Sequence, residues 1–194
     1  MKRRTFDLLI GMAGLFIAAI LVVSGSLLFW AHNFVEHEVH TQLATQQIFF
    51  PAKGSPAIAD PEFQAMNKYA GQQLTTGAQA QTYADHFIAN HLKKIGGGLT
   101  YSQLSAKAQA NPNDPKLAAT VETMFKGETL RGLLLNAYAF GTMGTIAGIA
   151  AIAAFIGAGV MALLGGLGVW HSRRVQPDRE ILGSRPSERA TASA

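Results

Sequence analysis

The residues of this chain that could do chemistry are its six histidines, and three of them lie close together. His32, His37 and His40 follow a long apolar run, and Glu36 lies between them. His37 and His40 are three positions apart, so on a helix they share one face and could bind Zn²⁺ or Cu²⁺ through ring nitrogens. The spacing therefore predicts a candidate metal site at His37 and His40, which His32 or Glu36 could complete. The alternative is that all four are polar interfacial residues that meet headgroups, water or the ends of neighbouring helices.

The other histidines favour no second site. His86 and His91 are five positions apart, which is about 140° of rotation on a helix, so they do not share a face. His86 and Asp85 remain possible further ligands of the first site, and His171 adjoins an apolar run. The sequence contains no nucleophile elbow, zinc-protease motif or phosphate-binding loop. We therefore expect no catalytic residue, no cofactor and no enzymatic activity.

Two charge-free stretches must position these residues. Residues 8–30 and 132–170 each exceed the roughly 20 apolar residues that cross a bilayer. The second stretch holds 39 residues, and as a helix it would measure about 58 Å against a hydrocarbon core of about 30 Å. We therefore place the spans at residues 8–30 and 145–170, and expect residues 129–144 to be an apolar helical approach outside the lipid. The first stretch is longer than the roughly 7–15 apolar residues of a signal peptide, which favours an uncleaved span.

The charges orient the two spans. The net charge is +4, but residues 31–132 carry eight basic and eight acidic side chains, so the excess lies in the two short ends. Short ends rich in Lys and Arg stay in the cytoplasm. Both termini are therefore expected inside the plasma membrane, and residues 31–144 outside it. The sequence has no basic patch of the size that nucleic acids require, which excludes a nucleic-acid partner.

The region between the spans is predicted to be entirely helical. Its first helix continues from the span to Phe50, and Pro51 ends it because proline lacks the backbone donor. Further helices are predicted from the N-cap Asp60 to about Gly71, over residues 77–95, from the N-cap Thr100 to Ala108, and from the N-cap Asp114 to Phe125. The chain has no cysteine, so an exported domain must be stabilised by helix packing. The predicted order is a cytoplasmic tail at 1–7, a span at 8–30, an extracytoplasmic helical domain at 31–144, a span at 145–170 and a disordered cytoplasmic tail at 171–194.

Small residues on the two spans predict where helices approach closely. Gly144 and Gly148 are four positions apart, and Gly11 and Gly14 offer a matching surface on the first span. These glycines favour either an internal hairpin or a contact with a second membrane protein. The apolar residues of the helical approach are expected to form the core of the external domain and a contact surface for a partner: Leu130, Leu133, Leu134, Ala137, Tyr138 and Phe140.

Two segments carry a resemblance to a known group of proteins. Residues 100–108 read TYSQLSAKA, and residues 127–144 read GETLRGLLLNAYAFGTMG and lead straight into the second span. In these segments and in its layout the chain resembles small actinobacterial two-span membrane proteins, which often carry the name aromatic ring-opening dioxygenase LigA. We interpret the dioxygenase name as mistaken, because ring-opening dioxygenase chemistry needs iron held by two histidines and a carboxylate in a soluble fold. The resemblance therefore implies a two-span topology and no established activity.

These observations together predict an all-α membrane protein, a two-helix transmembrane hairpin with a small helical extracytoplasmic domain. We expect a structural or accessory function in which the external domain and the glycine-rich spans bind another membrane or envelope protein, or a second copy of the chain. Membrane lipid would surround the spans. The alternative function is an extracytoplasmic metal-binding or sensing module built on His32, His37 and His40.

Overall fold

The computed structural model describes residues 3–174, and this part of the chain is helical. Its two longest elements are the helices α1, Arg3–Ala44, and α5, Pro115–Arg174. Between them lie 3₁₀ helices at Pro56–Ile58 and Pro61–Tyr69, and the helices α2 (Gly77–Thr82), α3 (Ala89–Ile95) and α4 (Tyr101–Ala110). A π-helix, Tyr83–Ile88, joins α2 to α3. Residues 3–174 contain no strand, so the predicted all-α class is confirmed.

Both α1 and α5 are long and apolar enough to cross a membrane, as the sequence predicts. They contain 42 and 60 residues, which correspond to about 63 and about 90 Å of helix. Only 11% of the most apolar 18-residue window of α1 is buried, and 17% of that of α5. The core helix of a soluble protein buries its apolar stripe. These two helices therefore expose apolar surface that an apolar solvent or a partner must cover.

The internal contacts of the described chain divide it into two compact units. Unit 1 comprises residues 3–28 and 149–174, and unit 2 comprises residues 29–148. Helices α1 and α5 each contribute residues to both units, and every shorter element belongs to unit 2.

Glycines bring the two helical segments of unit 1 together. Gly11 and Gly14 both lie against Gly165, and a Cβ atom built on Gly165 would lie 2.8 Å from the carbonyl oxygen of Gly11. Gly25 lies against the ring of Phe155, so the two segments run antiparallel. Gly11 and Gly14 therefore make close contacts with a helical segment of the same chain. Unit 1 exposes large apolar side chains, and the following are more than 60% exposed: Phe16, Leu27, Ile149, Ile156 and Leu163.

Unit 2 has its own buried core. The end of α1 and the first half of α5 pack with the shorter helices, and Met66 and Leu74 are completely buried. The other members of this core cluster are Leu43, Phe50, Ile58, Phe63, Ala80, Ala84, Ile88, Leu92, Leu104, Met124 and Leu134. Apolar burial of this kind stabilises unit 2 without disulfide bonds.

The predicted extension of the first helix to Phe50 is wrong. Helix α1 ends at Ala44, and Gln47 has a positive φ of 53°, which no right-handed helix allows. The backbone of the next residues pairs with residues 72–74 instead: Phe50 N–H donates to the Gln72 carbonyl at 2.9 Å, and Phe49 forms an isolated bridge with Gln73. A tertiary pairing therefore ends the helix before Pro51.

Asp60 occupies the N-cap position before Pro61, as predicted, but the capping hydrogen bond expected of its side chain does not form. Pro61–Tyr69 is a 3₁₀ helix. The Asp60 carboxylate instead binds Lys94 Nζ at 2.7 Å. The caps at Thr100 and Asp114 are confirmed, because the Thr100 hydroxyl accepts from Gln103 N–H and the Asp114 carboxylate accepts from Leu117 N–H.

Helix α5 joins three segments that the sequence analysis treats separately. The Asp114-capped helix, the apolar approach at 129–144 and the second charge-free stretch form one uninterrupted helix. Its last four residues, 171–174, extend beyond the predicted end of the span, so the helix continues into the segment predicted to be a disordered tail. The remainder of that predicted tail lies outside the described residues, as do residues 1 and 2 of the predicted N-terminal tail.

The predicted core role of the apolar approach holds for only part of it. Leu134 is 2% exposed and belongs to the core of unit 2. Leu130, Leu133 and Phe140 are 39%, 59% and 58% exposed, so their assignment to the core is wrong. On a helix only one face can turn inward, and positions 133 and 140 lie about 100° and about 120° from Leu134. Leu130 is one turn before Leu134 and lies at the edge of the inward face, which agrees with its lower exposure.

Candidate interaction surface and histidine cluster

His32 is held by a contact across unit 2. Its Nδ1 lies 2.8 Å from the carbonyl oxygen of Gly144. A carbonyl oxygen can only accept, so Nδ1 carries the proton and donates. The other ring nitrogen, Nε2, faces the Glu36 carboxylate, with 4.0 Å between Nε2 and Oε2. The ring therefore has a fixed orientation and a fixed tautomer when it is neutral.

Gly144 and Gly148 make the space that this contact needs. A Cβ atom on Gly148 would lie 2.9 Å from Nδ1 of His32, and one on Gly144 would lie 3.0 Å from a methyl carbon of Val35. The pair therefore accommodates side chains of α1 within the same chain. In unit 2, Gly148 contacts the imidazole of His32 and Gly144 contacts the side chain of Val35. In unit 1, by contrast, Gly165 contacts another glycine, Gly11.

The predicted metal pair is not brought together with further ligands. His37 and His40 are exposed on α1, and residues 3–174 contain no group of three or more His, Cys, Asp or Glu side chains placed to hold a metal ion. His40 and Glu36 line one cavity of about 290 Å³ that also has Thr142 and Thr145 in its wall. His37 and His40 thus remain a pair of side chains without a third protein ligand in the described chain.

The two histidines of the π-helix and α3 differ in their surroundings. His91 donates from Nδ1 to the Phe87 carbonyl at 2.7 Å, and its ring lies against those of Phe63 and Phe87 at centroid distances of 5.1 and 4.4 Å. His86 is exposed, and neighbouring Asp85 pairs with Arg131 of α5 at 3.2 Å. Asp85 is therefore engaged in an ion pair and not in a site with His37 or His40.

An apolar groove of about 520 Å³ lies between α1 and α5 in unit 2. Phe34, Leu133 and Phe140 line it and are 53%, 59% and 58% exposed. Leu130 lines it as well, and the buried Leu134 contributes to its floor. The remaining lining residues are Val35, Glu38, Val39, Gln42, Leu43, Gln46 and Ala137. The lining of the groove is thus mostly apolar. It includes the carboxylate of Glu38 and the amides of Gln42 and Gln46, and it contains no basic residue.

Three titratable groups of unit 2 have shifted pKa values, two because of ion pairs and one because of burial. Lys94 binds Asp60 and Glu62, each at 2.7 Å, and the hydrogen bond to Asp60 followed by that to Glu62 raises the pKa of Lys94. The hydrogen bond from Lys126 lowers the pKa of Glu122. Burial raises the pKa of the Tyr83 phenol, since the charged form loses hydration. These contacts stabilise helices, and none of them lines the groove.

Two features of unit 2 were not predicted from the sequence. The capping box of Thr76 and Gln79 begins α2, and its Thr-x-x-Gln pattern is visible in the sequence. The contact between His32 and Gly144 joins residues 112 positions apart, and no local pattern announces it.

Comparison with known proteins does not assign the chain to a family. No protein-family model matches it, and the searches of curated proteins and of solved structures found no match. The function is therefore inferred from the chain's own geometry.

Proposed function

We propose that this chain is a non-enzymatic, membrane-anchored accessory protein. In this proposal α1 and α5 each cross the plasma membrane once, at residues 8–30 and 145–170, and the rest of unit 2 is a small helical domain outside the cytoplasm. The observation that carries the proposal is the exposure of apolar surface along both helices, of whose most apolar windows only 11% and 17% are buried. The transfer of such apolar surface from water into lipid is favourable, whereas its exposure to water costs free energy.

The charges and aromatic residues at the helix ends support this orientation. Lys2, Arg3 and Arg4 precede the first apolar stretch, and Arg173 and Arg174 follow the second, as expected for ends that stay in the cytoplasm. Tryptophans flank the stretches in the manner of interfacial belts. Trp30 stacks on Phe34 with 5.6 Å between ring centroids, and the guanidinium of Arg174 lies 4.1 Å from the ring centroid of Trp170.

The groove between α1 and α5 supports a role in binding another protein. It extends along α1 from Phe34 to Leu43, which is about 14 Å of helix, and it begins four residues beyond the proposed end of the first span. Lipid does not reach most of that length, so its exposed apolar side chains call for a protein partner. We propose that the partner is another membrane or envelope protein, or a second copy of the chain. The layout, like that of the small actinobacterial two-span proteins that the sequence resembles, combines two spans with one external domain.

Site-specific photocrosslinking in intact cells tests the proposal. A photoreactive amino acid at Leu133 or Phe140 should give one discrete crosslinked product, because both side chains line the groove. The same residue at Lys116, an exposed position of α5 outside the groove, is the control and should give none. Co-expression of two copies with different tags distinguishes a second copy from another protein. Equal crosslinking from all three positions, or none from the groove, would contradict the proposal.

A further inference from the structure

We propose that His32 and Glu36 bind one divalent transition-metal cation, Zn²⁺ or Cu²⁺, as a two-residue chelate on α1. This ligand pair differs from the pair that sequence spacing favours, His37 and His40. It also goes beyond partner binding, since neither residue needs the groove in order to bind a cation.

The first support is the orientation of His32. Its Nδ1–H donates to the Gly144 carbonyl at 2.8 Å, so in the neutral ring the lone pair is on Nε2. Histidines that bind metals almost always donate their other ring N–H to a carbonyl or carboxylate, which fixes the ring and raises its basicity. Gly148 leaves room for the ring in this orientation, because any side chain there would lie within 3.1 Å of three ring atoms. His32 is thus held as a ligand before any metal arrives.

The second support is the position of Glu36. It follows His32 by one helical turn, on the same face, and its Oε2 lies 4.0 Å from Nε2. A tetrahedral ion with bonds of about 2.0–2.2 Å to nitrogen and oxygen places the two donors about 3.3 Å apart. The Glu36 side chain is 59% exposed, so it can move the remaining distance by rotation of its outer bonds.

The third support is the charge around the pair. The segment of α5 that faces His32, around Gly144 and Gly148, lies in a stretch without any charged residue between Arg131 and His171. In residues 3–174 the carboxylate of Glu36 lies within 4.0 Å of one basic side chain, the imidazole of His32. No lysine or arginine therefore competes with a cation for this carboxylate in the described chain, and water or a further molecule can complete the coordination.

Calorimetric titration of the full chain in detergent micelles with ZnCl₂, and separately with CuCl₂, tests the site. We expect one saturable binding event per chain. The affinity should be higher for Cu²⁺ than for Zn²⁺, because sites with nitrogen and oxygen donors bind Cu²⁺ more tightly. His32→Ala and Glu36→Gln should each weaken binding at least tenfold. His37→Ala and His40→Ala are the matched controls and should change it less than twofold.

The exposure of Glu36 keeps this test decisive. If His32→Ala loses helicity by circular dichroism, Glu36→Gln still removes one ligand without removing a packed side chain. Nitrogen chemical shifts of histidine-labelled protein should show that Zn²⁺ perturbs Nε2 of His32. The proposal is overturned if the wild type shows no saturable binding, if Glu36→Gln binds as tightly as the wild type, or if His37→Ala or His40→Ala abolishes binding.

Discussion

His32 Nδ1 donates to the carbonyl oxygen of Gly144 at 2.8 Å, across 112 residues of sequence. The ring that makes this hydrogen bond lies directly against Gly148, one helical turn further along α5. A pattern of two glycines four apart, which in a membrane helix suggests contact with another helix backbone, is used here to seat a side chain of the same chain. Four glycines of α5, at positions 132, 148, 165 and 166, can therefore be compared by what a methyl group would meet.

Gly148→Ala should destabilise the protein, whereas Gly132→Ala should not. A Cβ atom at position 148 would lie 2.9 Å from His32 Nδ1, so the ring must move and its hydrogen bond weakens. Overpacking of this kind costs about 1–3 kcal/mol. Nothing lies within 4 Å of a Cβ atom at position 132, and replacing glycine in a helix gains up to about 1 kcal/mol. Denaturant titrations in detergent, followed by circular dichroism, compare the two variants; equal midpoints would disprove the role of Gly148.

Gly165→Ala and Gly166→Ala should differ in the same way in unit 1. A methyl group at position 165 would lie 2.8 Å from the carbonyl oxygen of Gly11 and 2.9 Å from the backbone nitrogen of Leu15. Backbone atoms cannot rotate away, so the helices must separate at a cost of about 1–3 kcal/mol. Position 166 has open space around it. Thermal unfolding in detergent should show a lower midpoint for Gly165→Ala alone, and a matching loss in Gly166→Ala would contradict this packing.

Leu134→Ala should cost about 2–5 kcal/mol because Leu134 is 2% exposed within the core of unit 2. Leu133→Ala, at the adjacent position with 59% exposure, should change the free energy of unfolding by no more than about 0.5 kcal/mol. The same Leu133→Ala variant should lose the crosslinked product formed from Phe140, since it removes apolar surface from the groove. Equilibrium unfolding measures the first difference, and gel mobility of the product measures the second. Similar stability losses in both variants would show that Leu133 is buried.

Lys94→Met should lower the melting temperature at neutral pH and have little effect in strong alkali. The Asp60 and Glu62 contacts raise the pKa of Lys94 above its ordinary 10.5. A raised folded-state pKa means that the stabilisation is fully present below about pH 10.5 and is lost as the pH rises through the raised value. Lys93→Met is the control, as Lys93 forms no ion pair in residues 3–174. A difference between Lys94→Met and wild type that persists unchanged above that pH would refute the contribution of these ion pairs.

The sequence predicts those parts of this fold that depend on neighbouring residues. Two charge-free stretches long enough to span a bilayer predict α1 and α5, and the hydroxyl of Thr100 and the carboxylate of Asp114 predict where α4 and α5 begin. Each of these signals acts within a turn or two of helix. The uninterrupted length of α5 is less visible, because the glycines within the helix suggest separate segments.

Long-range contacts account for the errors. Residues 48–50 continue a helical pattern, yet their backbone pairs with residues 72–74. Asp60 has the chemistry of an N-cap, but Lys94, which is 34 positions away, takes its carboxylate. The candidate site follows the same rule: the histidine spacing draws attention to His37 and His40, whereas the geometry favours His32, which alone of the three has a fixed partner on α5.

We propose that two helices cross the membrane and hold the helical domain of unit 2 outside the cytoplasm. The chain has no cysteine, so single cysteines can be introduced and labelled without background. Lys68→Cys and Lys93→Cys place a thiol at exposed positions of unit 2, and Arg173→Cys places one at the end of α5. Leu163→Cys places one within the second proposed span, where lipid keeps water from the thiol.

Labelling of intact cells with a membrane-impermeant maleimide is the most direct measurement. We predict that the Lys68→Cys and Lys93→Cys variants react in intact cells, that Arg173→Cys reacts only after the membrane is permeabilised, and that Leu163→Cys stays unlabelled until detergent is added. Labelling of Arg173→Cys in intact cells while Lys68→Cys and Lys93→Cys stay protected would contradict the proposed orientation. Recovery of the unlabelled protein in the soluble fraction would contradict the membrane spans themselves.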